Sequence, residues 1–222
     1  MSFEIAKSLF WIGHASFYLK TKDGTIFIDP YNVSGVKEKA DLILITHAHF
    51  DHCSKKDIEK VIRSDTQIIA APQCLSKRDY SNLEVAEPGF KEVFKNLTIE
   101  AIPAYNMKSD RLSFHPKQNR WVGYIITIDG ARIYHAGDTD FISEMRGLKA
   151  LDLALLPMGG TYTMDVNEAI EAANSIDSKR VSPIHYKNLL GRNGSELAEK
   201  KFVESVQNAL LLKEIAEPSF SF

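Results

Sequence analysis

Three histidines and one aspartate fall within six residues of the segment Thr46-His47-Ala48-His49-Phe50-Asp51-His52. Imidazoles and a carboxylate are the donors that a borderline-soft divalent cation such as zinc takes. The segment follows Leu42-Ile43-Leu44-Ile45, an apolar run that reads as a buried strand, so the donors stand where the strand ends. In an extended chain alternate residues point to the same side, and His47 and His49 can therefore reach one ion together. Asp51 and His52 follow as the chain turns toward a helix start at Ser54; they face either a second ion or the far side of the first. Cys53 is either a further ligand or a small buried residue at that helix start. The competing reading of the whole run is a histidine-rich surface loop.

Two later segments carry donors at strand ends. Ala136-Gly137-Asp138-Thr139-Asp140 follows the apolar run that ends at His135. Gly137 permits a sharp exit, and the Asp138 carboxylate either bridges two cations through its two oxygens or caps a helix starting at Phe141. His185, in Pro183-Ile184-His185-Tyr186, is either a ligand or a structural histidine. His115 lies in a polar loop, His14 in the first strand region, and His135 within a strand, as a packed or supporting residue. Lys108, Arg111, Lys117 and Arg120 surround His115 in sequence; they suit either an anionic substrate or a solvated loop.

The elements that must position these groups are legible from periodicity and turn chemistry. Leu9–Leu19 reads as strand with a break at Gly13-His14, and Lys22-Asp23-Gly24-Thr25 is a hairpin turn into Ile26–Ile28, which ends at Asp29-Pro30. Leu42–Thr46 is the next strand. Ser54 caps a helix to about Arg63, with Asp57 in its first turn. Gln67–Ala71 is a strand ended by Pro72, and Gln73–Tyr80 a short helix. Lys91–Phe94, Leu97–Ile102, Trp121–Ile128 and Arg132–His135 are strands, with hairpin turns at Lys95-Asn96 and Asp129-Gly130 and a polar loop at Met107–Asn119. Phe141–Leu148 reads as helix, Leu151–Leu156 as strand, Asp165–Ile176 as a helix with Glu168 completing a capping box, Val181–Ile184 as strand, Ser195–Asn208 as helix and Leu210–Ile215 as a closing strand. Each half opens with hairpin strands and then alternates strand with helix, and each donor group falls just after a strand. In α/β sheets that end of the strands is where ligands bind.

A chain of 222 residues without a composition break fits one domain spanning 1–222. Two cysteines are too few for a disulfide framework and suit a reducing compartment. With 27 Lys plus Arg against 29 Asp plus Glu, a general polyanion-binding surface is excluded, and nucleic acid is not an expected partner. Neither a signal peptide nor an apolar membrane span is present in the sequence, so the expected setting is cytoplasmic, with no membrane partner.

The ordered set Thr46–His52, then Gly137-Asp138-Thr139, then His185 resembles the metallo-β-lactamase superfamily over nearly the whole chain. Trp11-Ile12-Gly13-His14-Ala15-Ser16-Phe17 and Arg132–Asp140 are similar to the branch that contains ascorbate-6-phosphate lactonase and N-acylphosphatidylethanolamine phospholipase D. The resemblance implies an α/β fold, a four-layered αββα sandwich, and a binuclear centre, usually zinc, with manganese or iron as alternatives. It assigns His47 and His49 to the first ion, Asp51, His52 and His185 to the second, and Asp138 as the bridge.

One departure stands out. The superfamily's Pro-Ala-x-His segment is here Pro103-Ala104-Tyr105-Asn106, and an amide oxygen is a much poorer zinc ligand than imidazole. Either His115 supplies the missing histidine, or Asn106 or a water completes a weak first site, or only the second site fills; His115 is the favoured choice.

The chemistry implied is hydrolysis. Two cations sharing a water lower its pKa from about 15.7 to about 7, and Asp51 accepts its hydrogen as the catalytic carboxylate. His14 and Tyr105 either touch substrate or steady the ligands, as Asn106 does if it is not a ligand. The expected substrate is a small-molecule ester, lactone or phosphodiester. A nuclease, or a non-catalytic or redox metal protein on the same fold, is the alternative, and homo-oligomerisation is an expectation from resemblance alone.

Overall fold

The computed structural model describes residues 8–215, which form two compact units, one of residues 8–86 with 213–215 and one of residues 87–212. The first unit is a six-stranded mixed sheet in the order β1 (Leu9–Gly13), β2 (Ser16–Thr21), β3 (Gly24–Ile28), β4 (Leu42–Ile45), β5 (Gln67–Ala70), β6 (Leu83–Val85). The first three strands form an antiparallel meander, and β3 through β6 are parallel. Every residue of β4 is buried, as expected of a parallel strand covered on both faces. One helix, α1 (Lys55–Val61), covers this sheet; the Ser54 side chain accepts from the Asp57 amide at its N-terminus. Ile58 and Val61 of α1 pack with Phe27, Ile43, Ile45 and Ile68 in one buried cluster. Each such side chain contributes about 1.5–3 kcal/mol through burial.

The second unit repeats the plan. Its six strands lie in the order β12 (Val181–Ile184), β11 (Leu153–Pro157), β10 (Ala131–His135), β9 (Val122–Ile128), β8 (Leu97–Pro103), β7 (Lys91–Phe94). β7 to β10 form an antiparallel meander, and β10, β11 and β12 are parallel. The crossover helix α2 (Val166–Ser175) opens with the expected capping box, Asp165 accepting from the Asn167 and Glu168 amides. α3 (Lys187–Ser205) follows β12.

Several elements differ from the sequence reading. Residues 73–80 form turns rather than a helix, because Gln73 takes a φ of 70° directly after Pro72 and breaks any right-handed turn. The three-residue β6 at the sheet edge was not foreseen. Residues 141–148 contain only a 3₁₀ turn, Ser143–Gly147, whose first residue lacks a side-chain cap. α3 begins at Lys187, well before Ser195, but Gly191 (φ 63°, ψ 178°) interrupts its first turns. Residues 210–215 contribute a single isolated bridge, Trp11 with Glu214, in place of a strand.

Gly123 in β9 shows how tightly the route to Asp138 is packed. A Cβ at this position would stand 2.6 Å from the carbonyl oxygens of both His135 and Ala136, and backbone cannot yield as a side chain does. Gly123→Ala is expected to destabilise the fold by about 1–3 kcal/mol, read as a lower urea midpoint at unchanged slope.

Candidate metal centre

The donors of the first unit follow two neighbouring parallel strands. Asp29 ends β3, and the 46–52 segment leaves β4. Asp29 sits at φ 45°, a conformation that costs a non-glycine residue of order 1 kcal/mol and persists only where the surroundings enforce it. Its Oδ1 accepts from the Thr46 amide at 2.8 Å and its Oδ2 from the Thr46 hydroxyl at 2.6 Å. Oδ2 also meets His52 Nδ1 at 2.7 Å in a fully buried pair. A carboxylate only accepts, so His52 Nδ1 donates and its lone pair lies on Nε2.

The same reasoning orients His47. The Thr46 hydroxyl spends its hydrogen on Asp29 and is therefore the acceptor for His47 Nδ1 at 3.0 Å, which leaves the His47 lone pair on Nε2. That nitrogen stands 3.1 Å from His49 Nδ1, so the pair comes together as the alternate-residue spacing predicted. One donor atom each from Asp29, His47 and His52 lies within 4.8 Å of the others. Asp51 is held differently, its Oδ2 2.9 Å from Nε2 of His14. His14, at φ 53°, has its carbonyl fixed by the Trp11 indole at 3.0 Å. Phe50, between His49 and Asp51, is 76% exposed and meets Tyr31 edge-on.

In the second unit Asp138 leaves β10 and His185 leaves β12. Asp138, only 4% exposed, caps no α-helix, since none forms at Phe141. Its Oδ2 lies 3.3 Å from His115 Nε2 and 3.2 Å from His185 Nε2, two imidazole nitrogens converging on one carboxylate oxygen. His185 also takes a positive φ, 56°. Gly159, after the intervening strand β11, gives it room, for a Cβ there would lie 2.5 Å from the His185 carbonyl oxygen. His135 supports the exit, its Nδ1 accepting from the Gly137 amide at 3.2 Å.

Asn106 lies beside His115. Its Oδ1 meets the His115 backbone amide at 3.0 Å and His115 Nδ1 at 2.8 Å. Its Nδ2 donates to Asp140 Oδ1 and to the Tyr162 carbonyl, both at 3.0 Å. Tyr105 turns its hydroxyl to Glu144 and Lys117, while its carbonyl accepts from the Thr139 hydroxyl and the Asp140 amide.

The four loop cations are all matched by acids. Arg111 bonds Asp140 and Glu168, Lys108 meets Glu168 at 2.7 Å, Lys117 lies 3.7 Å from Glu144, and Arg120 meets Glu87 at 2.8 Å. Burial pulls the Arg111 pKa down, but Glu168 and Asp140 outweigh it and raise it; the Lys117 pKa is raised chiefly by the Tyr105 hydroxyl, with Glu144 adding to it.

Sequence reasoning passed over Asp29 and Thr46, which orient His52 and His47, and the Arg111–Asp140–Glu168 network. The strand-end rule that singled out Asp138 applies equally to Asp29, directly after Ile26–Ile28, and would have found it. Cys53 points elsewhere, its thiol donating to the Cys74 carbonyl at 3.3 Å.

The donor chemistry of each unit fits a divalent cation: imidazole nitrogens with their lone pairs set by oxygen partners, and carboxylate oxygens at about 3 Å from imidazole nitrogens. Among the described residues no helix is long and apolar enough to cross a membrane.

Comparison with known proteins agrees with this chemistry. The Beta-lactamase superfamily domain matches residues 8–185. A UPF0173 metal-dependent hydrolase of Thermoplasma volcanium is 31% identical over 95% of this chain and 97% of its own. One of Thermococcus onnurineus is 33% identical over 91% and 95%. A crystal structure described as a metal-dependent hydrolase, from Parabacteroides distasonis, is 36% identical with a TM-score of 0.80, covering 93% of this chain and 92% of that one. A metallo hydrolase from Ignicoccus hospitalis is 27% identical with a TM-score of 0.72 over 94% and 95%. The α/β fold that the resemblance implies is the fold of these structures, and the chain belongs to the Beta-lactamase superfamily domain family, among its metal-dependent hydrolases.

Proposed function

We propose that the protein is a zinc-dependent hydrolase of small neutral esters or lactones, with a binuclear centre, working as a single domain in the cytoplasm. The proposed ligands are His47, His49, Asp51, His52, His115, Asp138 and His185, divided between two ions as the resemblance implies. The convergence of the His115 and His185 Nε2 atoms on Asp138 Oδ2 is the observation that carries this reading. When bound, divalent cations supply an acidified water and a Lewis acid for the substrate oxygen. Asp51 receives the hydrogen of the attacking water on a carboxylate that His14 holds in place. Asp29 and Thr46 keep His52 and His47 in the tautomer that offers Nε2.

The preference for a neutral substrate follows from charge. Lys108, Arg111, Lys117 and Arg120 are committed to Glu168, Asp140, Glu144 and Glu87, which leaves this loop a poor anion trap. The exposed Phe50 on the ligand segment offers an apolar wall to an acyl chain or lactone ring.

Protein purified without chelator is expected to carry about two ions per chain, to hydrolyse p-nitrophenyl esters and simple lactones, and to leave bis-p-nitrophenyl phosphate nearly untouched. Chelation followed by zinc return restores turnover if the metal is catalytic. Preferred cleavage of the phosphodiester would reverse the substrate assignment, and full metal loading with no turnover on any of these probes would favour a non-catalytic metal protein.

A further inference from the structure

We infer that Asn106 is a positioning residue that fixes the tautomer of His115 and so turns His115 into the histidine that the Pro-Ala-x-His segment lacks. The inference deepens the proposed centre and rests on His115 being a ligand. It follows from donor and acceptor bookkeeping around one buried amide.

The orientation of the Asn106 amide is unambiguous. One end faces the backbone N–H of His115 at 3.0 Å, a group that can only donate. The other end faces the Asp140 carboxylate and the Tyr162 carbonyl, both at 3.0 Å, groups that only accept. Rotating the amide by 180° would set donor against donor and acceptor against acceptor, so the oxygen lies toward His115 and the nitrogen toward Asp140. His115 Nδ1, at 2.8 Å from that oxygen, must therefore donate. Its hydrogen is on Nδ1, and in the neutral ring the lone pair is on Nε2, which faces Asp138 Oδ2 at 3.3 Å. A lone pair on Nε2 facing a carboxylate oxygen is the arrangement that a shared proton or a divalent cation joins.

The amide is itself locked. Asp140, which accepts from Asn106, also takes the Met107 and Lys108 amides on Oδ2 and Arg111 Nε on Oδ1. The relay from Arg111 through Asp140 and Asn106 to His115 is buried at every member. An asparagine at 106 is thus incompatible with direct ligation through Oδ1, because two hydrogen bonds from His115 already occupy that oxygen.

The test combines imidazole ¹⁵N NMR on metal-free protein with zinc affinity by competition against a chromophoric chelator. In its neutral form wild-type His115 is expected as the Nδ1–H tautomer. Asn106→Leu should shift it toward Nε2–H and weaken zinc binding about 10–100-fold. If His115→Ala leaves zinc affinity unchanged, the ligand assignment itself fails. If His115→Ala weakens zinc but Asn106→Leu changes neither tautomer nor affinity, only the positioning role fails. Should Asn106→Leu not fold, the wild-type spectrum still decides, since an Nε2–H His115 overturns the inference.

Discussion

Asp138→Ala should lose metal-dependent turnover by about a thousandfold or more, the effect of removing several kcal/mol of charge stabilisation from the transition state. In the second unit its Oδ2 lies 3.3 Å from the His115 Nε2 and 3.2 Å from the His185 Nε2. Without the carboxylate two imidazoles remain, and neither supplies the negative charge that holds a divalent ion in a buried place. Asp138→Asn keeps the shape and removes the charge, so it should fall nearly as far. Thermal melts with and without zinc separate a functional from a structural role. Wild-type protein should gain about 2.7 kcal/mol at a zinc concentration one hundred times the dissociation constant, while both variants should gain little. Metal-free, the alanine variant should melt close to wild type, since it removes a buried acid rather than an apolar packing group. Wild-type zinc content with undiminished turnover in Asp138→Ala would remove this residue from the centre.

How much of this was legible in the sequence depends on how far apart the cooperating residues lie. The His47–His52 cluster could be read because its donors are adjacent and follow an apolar strand whose end fixes their direction. The strands other than β6 were legible as apolar runs bounded by turn signals, including the hairpin turn between Thr21 and Gly24. Asp29 was not read as part of the site, because its partners Thr46 and His52 are 17 and 23 residues away and reach it only through the parallel pairing of β3 with β4. Asn106 was read as a departure from the Pro-Ala-x-His segment, with His115 the favoured replacement. The hydrogen bond between them, nine residues apart, was not legible because it depends on a loop in which Asp140, from a different strand end, takes the Asn106 amide and the Met107 and Lys108 backbone amides. Local propensity also misled at residues 141–148, where an apolar and charged pattern suited a helix but no side chain caps its first turn.

That same network should dominate stability. Arg111→Met is expected to cost about 3–5 kcal/mol, the penalty for removing one partner of a buried ion pair, since Asp140 then keeps only amide donors and Glu168 only the half-exposed Lys108 as its cation. Arg111 is 4% exposed; its Nε bonds Asp140 Oδ1 at 2.6 Å, and one terminal nitrogen bonds both oxygens of Glu168 at 2.8 and 2.7 Å. Arg111→Lys should recover only part of the loss, since an ammonium cannot match two carboxylates with a planar fork. The deficit should also depend on pH in a defined direction. Burial pushes the Glu168 carboxyl up, but hydrogen bonds from Arg111 and Lys108 outweigh it and hold its pKa below the ordinary value. A depressed folded pKa contributes stability that is fully present above the unfolded value of about 4.3 and is lost as pH falls through the folded value. The gap between wild type and Arg111→Met should therefore be widest near neutral pH and narrow below about pH 4, measured as urea midpoints across that range. A gap that stays constant on acidification would mean that lost packing of the guanidinium stem, not its charge, carries the effect. Because Asp140 orients Asn106, the variant should also bind zinc more weakly under conditions where it remains folded, which ties the stability of this loop to the chemistry of His115.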